Sequence, residues 1–275
     1  MLQQKFKTII VGVDFSDYSQ LVVKQARLLC KLWKTNLVLV HVIHDSIDYS
    51  PSLYLSFPNQ LTLENYEALV RKTYKVAAKS ESVMAVRGVV SDQLLMVAAQ
   101  NPQPLIVAGY KGSSKIAEFF FGSTAQTLVL RSKYPVWIQR GSKVVSPAKV
   151  LIPHDLSLEA NHSIDILKNL SLTTPLSYEV FFVRETPFPV LDFELYAEME
   201  RRLLDQNAAK MRHLLKEYPK VAVVTSKGEV TSKVAKRAKK FDLLIMAHNN
   251  PAGLFSKSQT VELLKKVKTP VLVVH

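Results

Sequence analysis

The sequence predicts an α/β protein made of two tandem, doubly wound parallel sheets of five strands each. Short apolar segments alternate with amphipathic segments of helical period along the 275 residues, which is typical of parallel α/β sheets. The pattern of residues 1–143 returns in residues 148–275, and a short segment containing Gly, Ser and Pro, 140–147, separates them. We therefore expect two domains, 1–143 and 148–275, each with the element order β-α-β-α-β-α-β-α-β.

Local patterns predict the strands and helices of the first half. Contiguous aliphatic residues predict strands that are buried on both faces of a parallel sheet. These segments are 8–13, 37–42, 104–108 and 134–138. Apolar residues at three- and four-residue spacing predict helices at 18–34, 61–80 and 123–131. Ser16 or Asp17 is expected to cap the first helix, and the segment 45–60, rich in Ser, Tyr and Pro, is expected to form a loop.

The second half repeats these signals. Residues 149–157 follow the pattern of residues 7–16, with a basic residue, an apolar strand, an aspartate, an apolar residue and a serine. Further strand signals lie at 178–183, 242–248 and 269–274, and a longer, more charged helix is predicted at 193–218. Two copies of one domain in tandem explain this repetition.

Composition limits the class of protein. Hydrophobic residues make up 48% of the chain, which excludes wholesale disorder, and no apolar run approaches the roughly 18 residues of a membrane span. The polar segment 1–7 leads directly into a strand, so no secretory signal is predicted. Because Cys30 has no second cysteine to pair with and lies among apolar helix residues, we expect a cytoplasmic protein with a small core thiol.

The net charge of +13 is spread over both halves rather than concentrated in one tail. Such a charge favours a general attraction to polyanions, and nucleic acid is one alternative partner. The clearest basic segment, 233–240, is predicted to form an amphipathic helix. A solvated cationic face explains this segment better than a nucleic-acid contact does.

The most informative segment follows the strand at 104–108. Its spacing is Gly, two residues, Gly, nine residues and Gly-Ser, at Gly109, Gly112, Gly122 and Ser123. Glycine lets backbone amides approach a ligand closely because it has no Cβ. The helix that follows presents unpaired N–H groups and a partial positive charge at its start, while Lys111 adds a mobile cation and Thr124 a hydroxyl. Together these groups favour a polyphosphate ligand.

This spacing resembles the ATP-binding signature of the universal stress protein family. Residues 8–16 resemble the family's first strand with its terminal aspartate and following serine, 37–42 its second strand and 134–138 its last. The resemblance implies the universal stress protein fold, shared with adenine nucleotide alpha hydrolase-like proteins. It also implies ATP, alone or with Mg²⁺, as the ligand.

The resemblance and the topology together assign roles to residues of the first half. Ligands of open α/β sheets bind beyond the carboxyl ends of strands where the strand order reverses, and Asp14 ends the first strand there. We expect its carboxylate to bind ribose hydroxyls or to help hold a metal, rather than to cap the next helix. The resemblance assigns adenosine contacts to Gly12, Val13 and Val42. It assigns the surroundings of ribose and phosphates to Ala108, Gly109, Lys111, Gly112, Gly122, Ser123, Thr124 and Ala125.

The second half is expected to have kept the fold and lost the phosphate-binding loop. In an alignment on the preceding strand, His248, Pro251 and Lys257 replace the three glycines. Proline lacks an amide donor, and the other two residues bring a Cβ to places where backbone must approach phosphate. Gly253 leaves weak or different ligand binding open, and Asp155 is interpreted as a vestige or a structural turn residue.

No catalytic residues and no metal site are predicted. The sequence near the glycine loop contains no Ser/His/Asp set, no paired carboxylates and no Cys/His cluster, and the Walker A motif is absent. The favoured function is an ATP-binding regulatory protein that acts in a stress response through nucleotide-dependent protein contacts. The alternatives are a slow ATPase or nucleotidyl- or phosphoryl-transfer enzyme, and a module that binds polyanions or nucleic acid.

Each half ends in an apolar strand that begins with Pro-Val, at 135–138 and 270–274. The family's fold implies that this strand lies at a sheet edge, where unpaired N–H and C=O groups invite another strand. Because the linker is short, we expect the halves to pair through these edges as an internal pseudo-dimer. A homodimer through other surfaces is an alternative, and no membrane contact is expected.

Overall fold

The computed structural model divides the chain into two compact units, Met1–Ser146 and Pro147–His275. The residues it describes are 6–43, 62–77, 79–110, 122–156, 160–171, 176–184, 194–216, 222–248 and 257–275. In each unit, short strands alternate with helices and pair in parallel, which confirms the predicted α/β class.

The first unit contains five parallel strands in the order β3-β2-β1-β4-β5. They are β1 (Thr8–Val13), β2 (Asn36–Ile43), β3 (Glu81–Arg87), β4 (Pro104–Gly109) and β5 (Val136–Gln139). The described helices are α1 (Asp17–Trp33), α2 (Leu63–Thr73), α3 (Val90–Ala99) and α4 (Ser123–Arg131). The order reverses between β1 and β4, which is where an open sheet of this kind binds ligands.

The second unit has the equivalent order β8-β7-β6-β9-β10. Its strands are β6 (Lys149–Pro153), β7 (Ser177–Arg184), β8 (Ala222–Lys227), β9 (Leu243–Ala247) and β10 (Val271–Val274). Its described helices are α5 (Asn161–Ser171), α6 (Glu194–Leu214), α7 (Val230–Ala238) and α8 (Lys257–Lys266). The doubly wound fold is therefore present twice.

The core of the first unit lies around the central strands. Ile9, Ile10 and Val11 of β1 and Leu105 and Ile106 of β4 are completely buried. Consecutive residues of these strands are apolar because both faces of the sheet are covered, so neither face needs polar side chains.

Backbone conformations also repeat between the units. Phe15 has a φ of 61° and Leu156 a φ of 68°, each one residue after the aspartate that follows the first strand. Gly88 (φ 131°) and Gly228 (φ 122°) each stand two residues before the third helix of their unit. Left-handed backbone is unfavourable for residues with a Cβ, so its recurrence after the aspartate indicates that the tight strand-to-helix connection requires it.

Two predicted helices are shorter in the structure. The helix expected at 61–80 spans Leu63–Thr73, because Lys75 adopts a left-handed φ of 52° that ends the helix before β3. The helix expected at 193–218 spans Glu194–Leu214. The predicted loop 45–60 lies outside the described residues.

The basic segment forms the amphipathic helix that was predicted. Val230, Val234 and Ala238 of α7 are buried, whereas the lysines of the helix and of its C-terminal end are exposed. Arg237 differs from those lysines, because its Nε donates to Glu179 Oε1 at 2.7 Å. This hydrogen bond raises the pKa of Arg237, so the arginine is a structural ion-pair partner rather than part of a free cationic face.

Candidate functional site

Three of the predicted site residues, Asp14, Ala108 and Gly109, lie at the carboxyl ends of β1 and β4. Asp14 directly follows β1, Gly109 is the last residue of β4, and Ala108 before it is 6% exposed. The two strands are hydrogen-bonded neighbours in which Val11 pairs with Val107. Residues just beyond these strands therefore share one edge of the sheet.

A backbone hydrogen bond joins the two ends of the glycine loop. The amide of Gly122 donates to the carbonyl oxygen of Tyr110 at 2.7 Å, and the amide of Tyr110 donates to the carbonyl oxygen of Gln139 at 3.2 Å. The start of α4 is consequently held beside the end of β4. Lys111 and Gly112 lie outside the described residues.

Helix α4 begins at this point with amides that have no acceptor in the helix. Gly122 is its N-cap, and Ser123, Thr124 and Ala125 form its first turn. Gln126 is the first residue whose amide bonds back, to the carbonyl of Gly122 at 2.9 Å. The first turn contains no acidic residue, so nothing within it neutralises the partial positive charge of the helix start. The arrangement suits an anionic ligand.

Asp14 is exposed and is oriented by the residue that caps α1. Its Oδ1 accepts hydrogen bonds from the amide of Ser16 at 3.1 Å and from Ser16 Oγ at 2.6 Å. Ser16 is the N-cap itself, because its Oγ accepts from the amide of Ser19 at 3.1 Å. Asp14 therefore does not cap the helix, and its Oδ2 has no hydrogen-bond partner in the part of the chain that the structure describes. That oxygen can accept from a ligand.

The residues assigned to adenosine differ in their surroundings. A Cβ at Gly12 would stand 3.0 Å from Leu94 Cδ1, so the glycine allows α3 to pack closely on β1. Val13 is buried, and its carbonyl oxygen is 2.9 Å from His41 Nδ1. Val42 is half-buried on the neighbouring strand. Packing thus explains the absence of a side chain at Gly12, and its contact with adenosine stays a prediction.

A network of hydroxyl groups that accepts hydrogen bonds from the amides of Asp14 and Phe15 was not predicted from the sequence. Tyr74 Oη accepts a hydrogen bond from the amide of Phe15 at 2.9 Å and lies 3.0 Å from Ser19 Oγ. Ser19 Oγ accepts in turn from the amide of Asp14 at 3.3 Å. Tyr74 follows α2, far along the chain from β1, so no local spacing signal could have linked it to the site.

A second cluster holds Tyr110, where the glycine loop leaves β4. Tyr18 Oη donates to the carbonyl oxygen of Gln139 at 2.8 Å, and its ring meets the Tyr110 ring edge-on at 5.2 Å between centroids. The Arg140 guanidinium lies 4.3 Å from the centroid of the Tyr110 ring, within the range of a cation–π contact. Burial lowers the pKa of Arg140 and raises that of Tyr18. The ring of Tyr110 is therefore packed from two sides.

The strand pairings show which residues of the two units are equivalent, and this equivalence differs from the predicted alignment. Counted from the pairing of the central strands, Ala247 and not His248 occupies the position of Gly109. His248 matches Tyr110, and its amide likewise donates to the last strand of its unit, at 2.8 Å. The predicted equivalence was wrong by one residue because sequence similarity alone does not report strand register. Pro251 and Gly253 lie outside the described residues, and Lys257 begins α8.

Side chains fill the equivalent edge of the second unit. His248 is 5% exposed, and its Nδ1 lies 3.0 Å from Oγ1 of the fully buried Thr260 on α8. The ring of His275 meets that of His248 edge-on at 5.7 Å between centroids. Burial, with a smaller contribution from His248, lowers the pKa of His275 to about 4. His248 and His275 therefore occupy the positions that Tyr110 and Arg140 have in the first unit, and Thr260 adds a buried hydroxyl from the start of α8.

The described residues were compared with what a metal-binding cluster and a membrane-spanning helix require. Within them, no group of three or more His, Cys, Asp and Glu side chains is placed to hold a metal ion. Among the same residues, none of the helices has the length and apolar character that crossing a bilayer requires. Cys30 is partly exposed, and burial raises the pKa of its thiol to about 11, which favours the predicted unreactive role.

Comparison with protein families matches residues 5–140 to the universal stress protein family. A curated Thermus aquaticus protein named "Universal stress protein in QAH/OAS sulfhydrylase 3'region" is 24% identical over 136 residues, which are 49% of this chain and 99% of the relative. The family match lies within the first unit.

Solved structures resemble both units together. A universal stress protein from Archaeoglobus fulgidus DSM 4304 is 17% identical with a TM-score of 0.72, and the match covers 98% of this chain and 96% of that one. A functionally unknown protein from Pseudomonas aeruginosa PAO1 is 14% identical with a TM-score of 0.65, covering 98% and 93%. At these identities the likeness concerns the fold, and it extends to the tandem arrangement.

Proposed function

We propose that this chain binds ATP in its first unit and acts in a stress response through nucleotide-dependent contacts with other proteins. The proposal starts from the family to which the chain belongs through that unit, the universal stress proteins. The observation that carries the proposal is the start of α4. Its amides lack acceptors in the helix, and the bond from Gly122 to Tyr110 holds them beside the end of β4. Amides in this position bind phosphate oxygens well.

The binding residues follow from this placement. The first-turn amides of α4 contact phosphate, together with the loop residues Gly109, Lys111 and Gly112. The carboxylate of Asp14 accepts hydrogen bonds from the ribose, through the oxygen that Ser16 leaves unbonded. Backbone around Val13 contacts adenosine. When Mg²⁺ accompanies the nucleotide, Asp14 is the carboxylate available to it.

The second unit carries no high-affinity nucleotide site in this proposal. Lys257 stands at the start of α8, where the first unit has the glycine cap of α4. His248 and Thr260 fill the adjacent space with side chains that bond to each other. We therefore expect each chain to bind one nucleotide.

Turnover of ATP is a weaker alternative. Asp14 is exposed and hydrogen-bonded to Ser16. Among the described residues, no second titratable side chain is hydrogen-bonded to Asp14, so no pair of groups is assembled there to take a proton from an attacking water. Hydrolysis clearly above that of a Gly122→Lys variant would favour an enzyme. The exposed lysines of α7 favour a second candidate, polyanion binding, which a steep dependence of binding on salt would reveal.

Titration calorimetry with ATP tests the leading proposal. We expect a stoichiometry near one per chain for the wild type, and no measurable binding for Gly122→Lys, because the lysine side chain intrudes where the phosphates approach the helix start. Lys257→Gly, at the equivalent position of the second unit, is the matched control and should keep the stoichiometry at one. A stoichiometry of two, or wild-type affinity in Gly122→Lys, would contradict the proposal.

We also propose a cytoplasmic location, which the single cysteine favours over an oxidising compartment. The regulatory partners are proteins that distinguish the ATP-bound form from the free form. Capture of partners with wild-type protein and with Gly122→Lys, each in the presence of ATP, tests this part of the proposal. Partners recovered equally by both proteins would show that nucleotide does not control the contact.

A further inference from the structure

The turn that carries Asp14 is strained and needs support from elsewhere in the fold. Phe15 adopts a left-handed φ of 61° although it carries a bulky side chain. Such a conformation is unfavourable for a residue with a Cβ and persists only where surrounding contacts hold it. The position of the Asp14 carboxylate depends on this turn, because the two residues are adjacent.

Tyr74 provides that support through its hydroxyl. Its side chain is buried at 4% exposure, and Oη reaches the Phe15 amide directly and the Asp14 amide through Ser19 Oγ. The Phe15 ring also stacks on the Tyr74 ring at 6.1 Å between centroids. Both amides of the turn are therefore fixed by a single phenol from the end of α2.

The second unit shows that the strained turn can exist without this network. Leu156 has the same left-handed backbone, and its amide donates instead to His154 Nδ1 at 2.9 Å. Ala160, the fifth residue after Asp155, stands where Ser19 is the fifth residue after Asp14. The second unit thus has an alanine where the first has the serine hydroxyl that accepts from the aspartate amide. The left-handed turn itself therefore does not require the arm of the network that runs through Ser19.

We propose that Tyr74 is a positioning residue for nucleotide binding, whose hydroxyl sets the orientation of Asp14 toward the ribose of ATP. This inference rests on the proposed function. Tyr74 does not touch the ligand in this arrangement. It acts through the amides of Asp14 and Phe15, and removal of the hydroxyl loosens the carboxylate without removing any phosphate contact.

The test compares ATP with 2′,3′-dideoxy-ATP, which lacks the hydroxyls that Asp14 would bind. Wild-type protein should bind ATP more tightly than the dideoxy analogue. Tyr74→Phe should weaken ATP binding about fivefold, the effect of one hydrogen bond, and leave binding of the analogue nearly unchanged. In an Asp14→Asn background, the same substitution should have little further effect on ATP affinity.

Tyr134→Phe is the matched control, because Tyr134 precedes the amino end of β5, away from the carboxyl edge. It should preserve the affinities for both nucleotides. Equal weakening of both nucleotides by Tyr74→Phe, or an unchanged preference for ATP, would overturn the positioning role. Absence of ATP binding by the wild type would instead overturn the proposed function on which the inference rests.

Discussion

The two units share a backbone plan and differ in the chemistry at the carboxyl edge of the sheet. Both have the same strand order, and in both the residue after the first aspartate has a left-handed backbone conformation. Tyr110 and Arg140 pack together at that edge of the first unit, whereas His248 and His275 do so in the second. A glycine caps α4 in the first unit, whereas α8 of the second begins with Lys257. Strand burial and turn geometry thus maintain the fold, and a few loop residues decide which ligand, if any, a unit accepts.

The largest expected effect comes from separating the units. Residues 1–143 expressed alone should form a dimer or larger assemblies in sedimentation, because the last strand, β5, then offers unpaired backbone groups beside apolar side chains. Residues 148–275 expressed alone should behave in the same way if the final strands have equivalent roles. A stable, soluble monomer of either unit would contradict the predicted pairing of the halves.

A smaller effect concerns the stability of the folded protein at acid pH. His275 follows the last strand of its unit as Arg140 does in the first, but only the histidine can change its charge between pH 7 and pH 4. Its pKa of about 4 lies below the value of about 6.5 in unfolded chains, so its contribution to stability is present above pH 6.5 and is lost as pH falls toward 4. With a discount for partial exposure, we expect a loss of about 2 kcal/mol.

Chemical unfolding of the wild type and of His275→Gln at pH 7 and pH 4 measures this contribution. The variant should lose less stability than the wild type over the interval, since other titrating groups act equally on both proteins. Arg140→Gln is the control in the first unit and should leave the pH dependence of stability unchanged. Identical pH dependence of wild type and His275→Gln would refute the prediction.

The smallest effect concerns the caps of the third helices. Glu229 accepts hydrogen bonds from the amides of Thr231 and Ser232, both at 2.8 Å. Desolvation raises the pKa of Glu229, but the hydrogen bonds from Ser232 and Thr231 outweigh it and lower that pKa to about 2. Val89 occupies the cap position of α3 without any such bond and is 52% exposed. We expect Glu229→Ala to cost about 1 kcal/mol of stability and Val89→Asp to add about 0.5 kcal/mol. Thermal unfolding of both variants checks the two signs.

The fold could be predicted wherever a strand is buried on both faces. Strands β1, β2 and β4 appear in the sequence as continuous apolar runs because the sheet core surrounds them. The third strand of each unit left no comparable signal. In β3, buried and partly exposed residues alternate between Glu81 and Arg87, because β3 ends the strand order of its unit and is less covered.

The candidate site could be predicted only where its parts are close in the chain. Gly109, Gly122 and Asp14 were found because glycine spacing and a strand-terminal aspartate are local patterns. The role of Tyr74, the packing of Leu94 against Gly12 and the equivalence of Ala247 with Gly109 were not predicted. Each of these depends on which residues of distant segments meet.

By itself, the sequence determined the tandem α/β plan, the position of the glycine loop and the loss of its pattern in the second half, since periodicity and spacing along the chain encode them. Only the tertiary structure decided how Asp14 is held and which side chains fill the second edge. Hydrogen bonds such as that between Tyr74 and Phe15 join residues brought together by sheet pairing, and strand register determines that pairing.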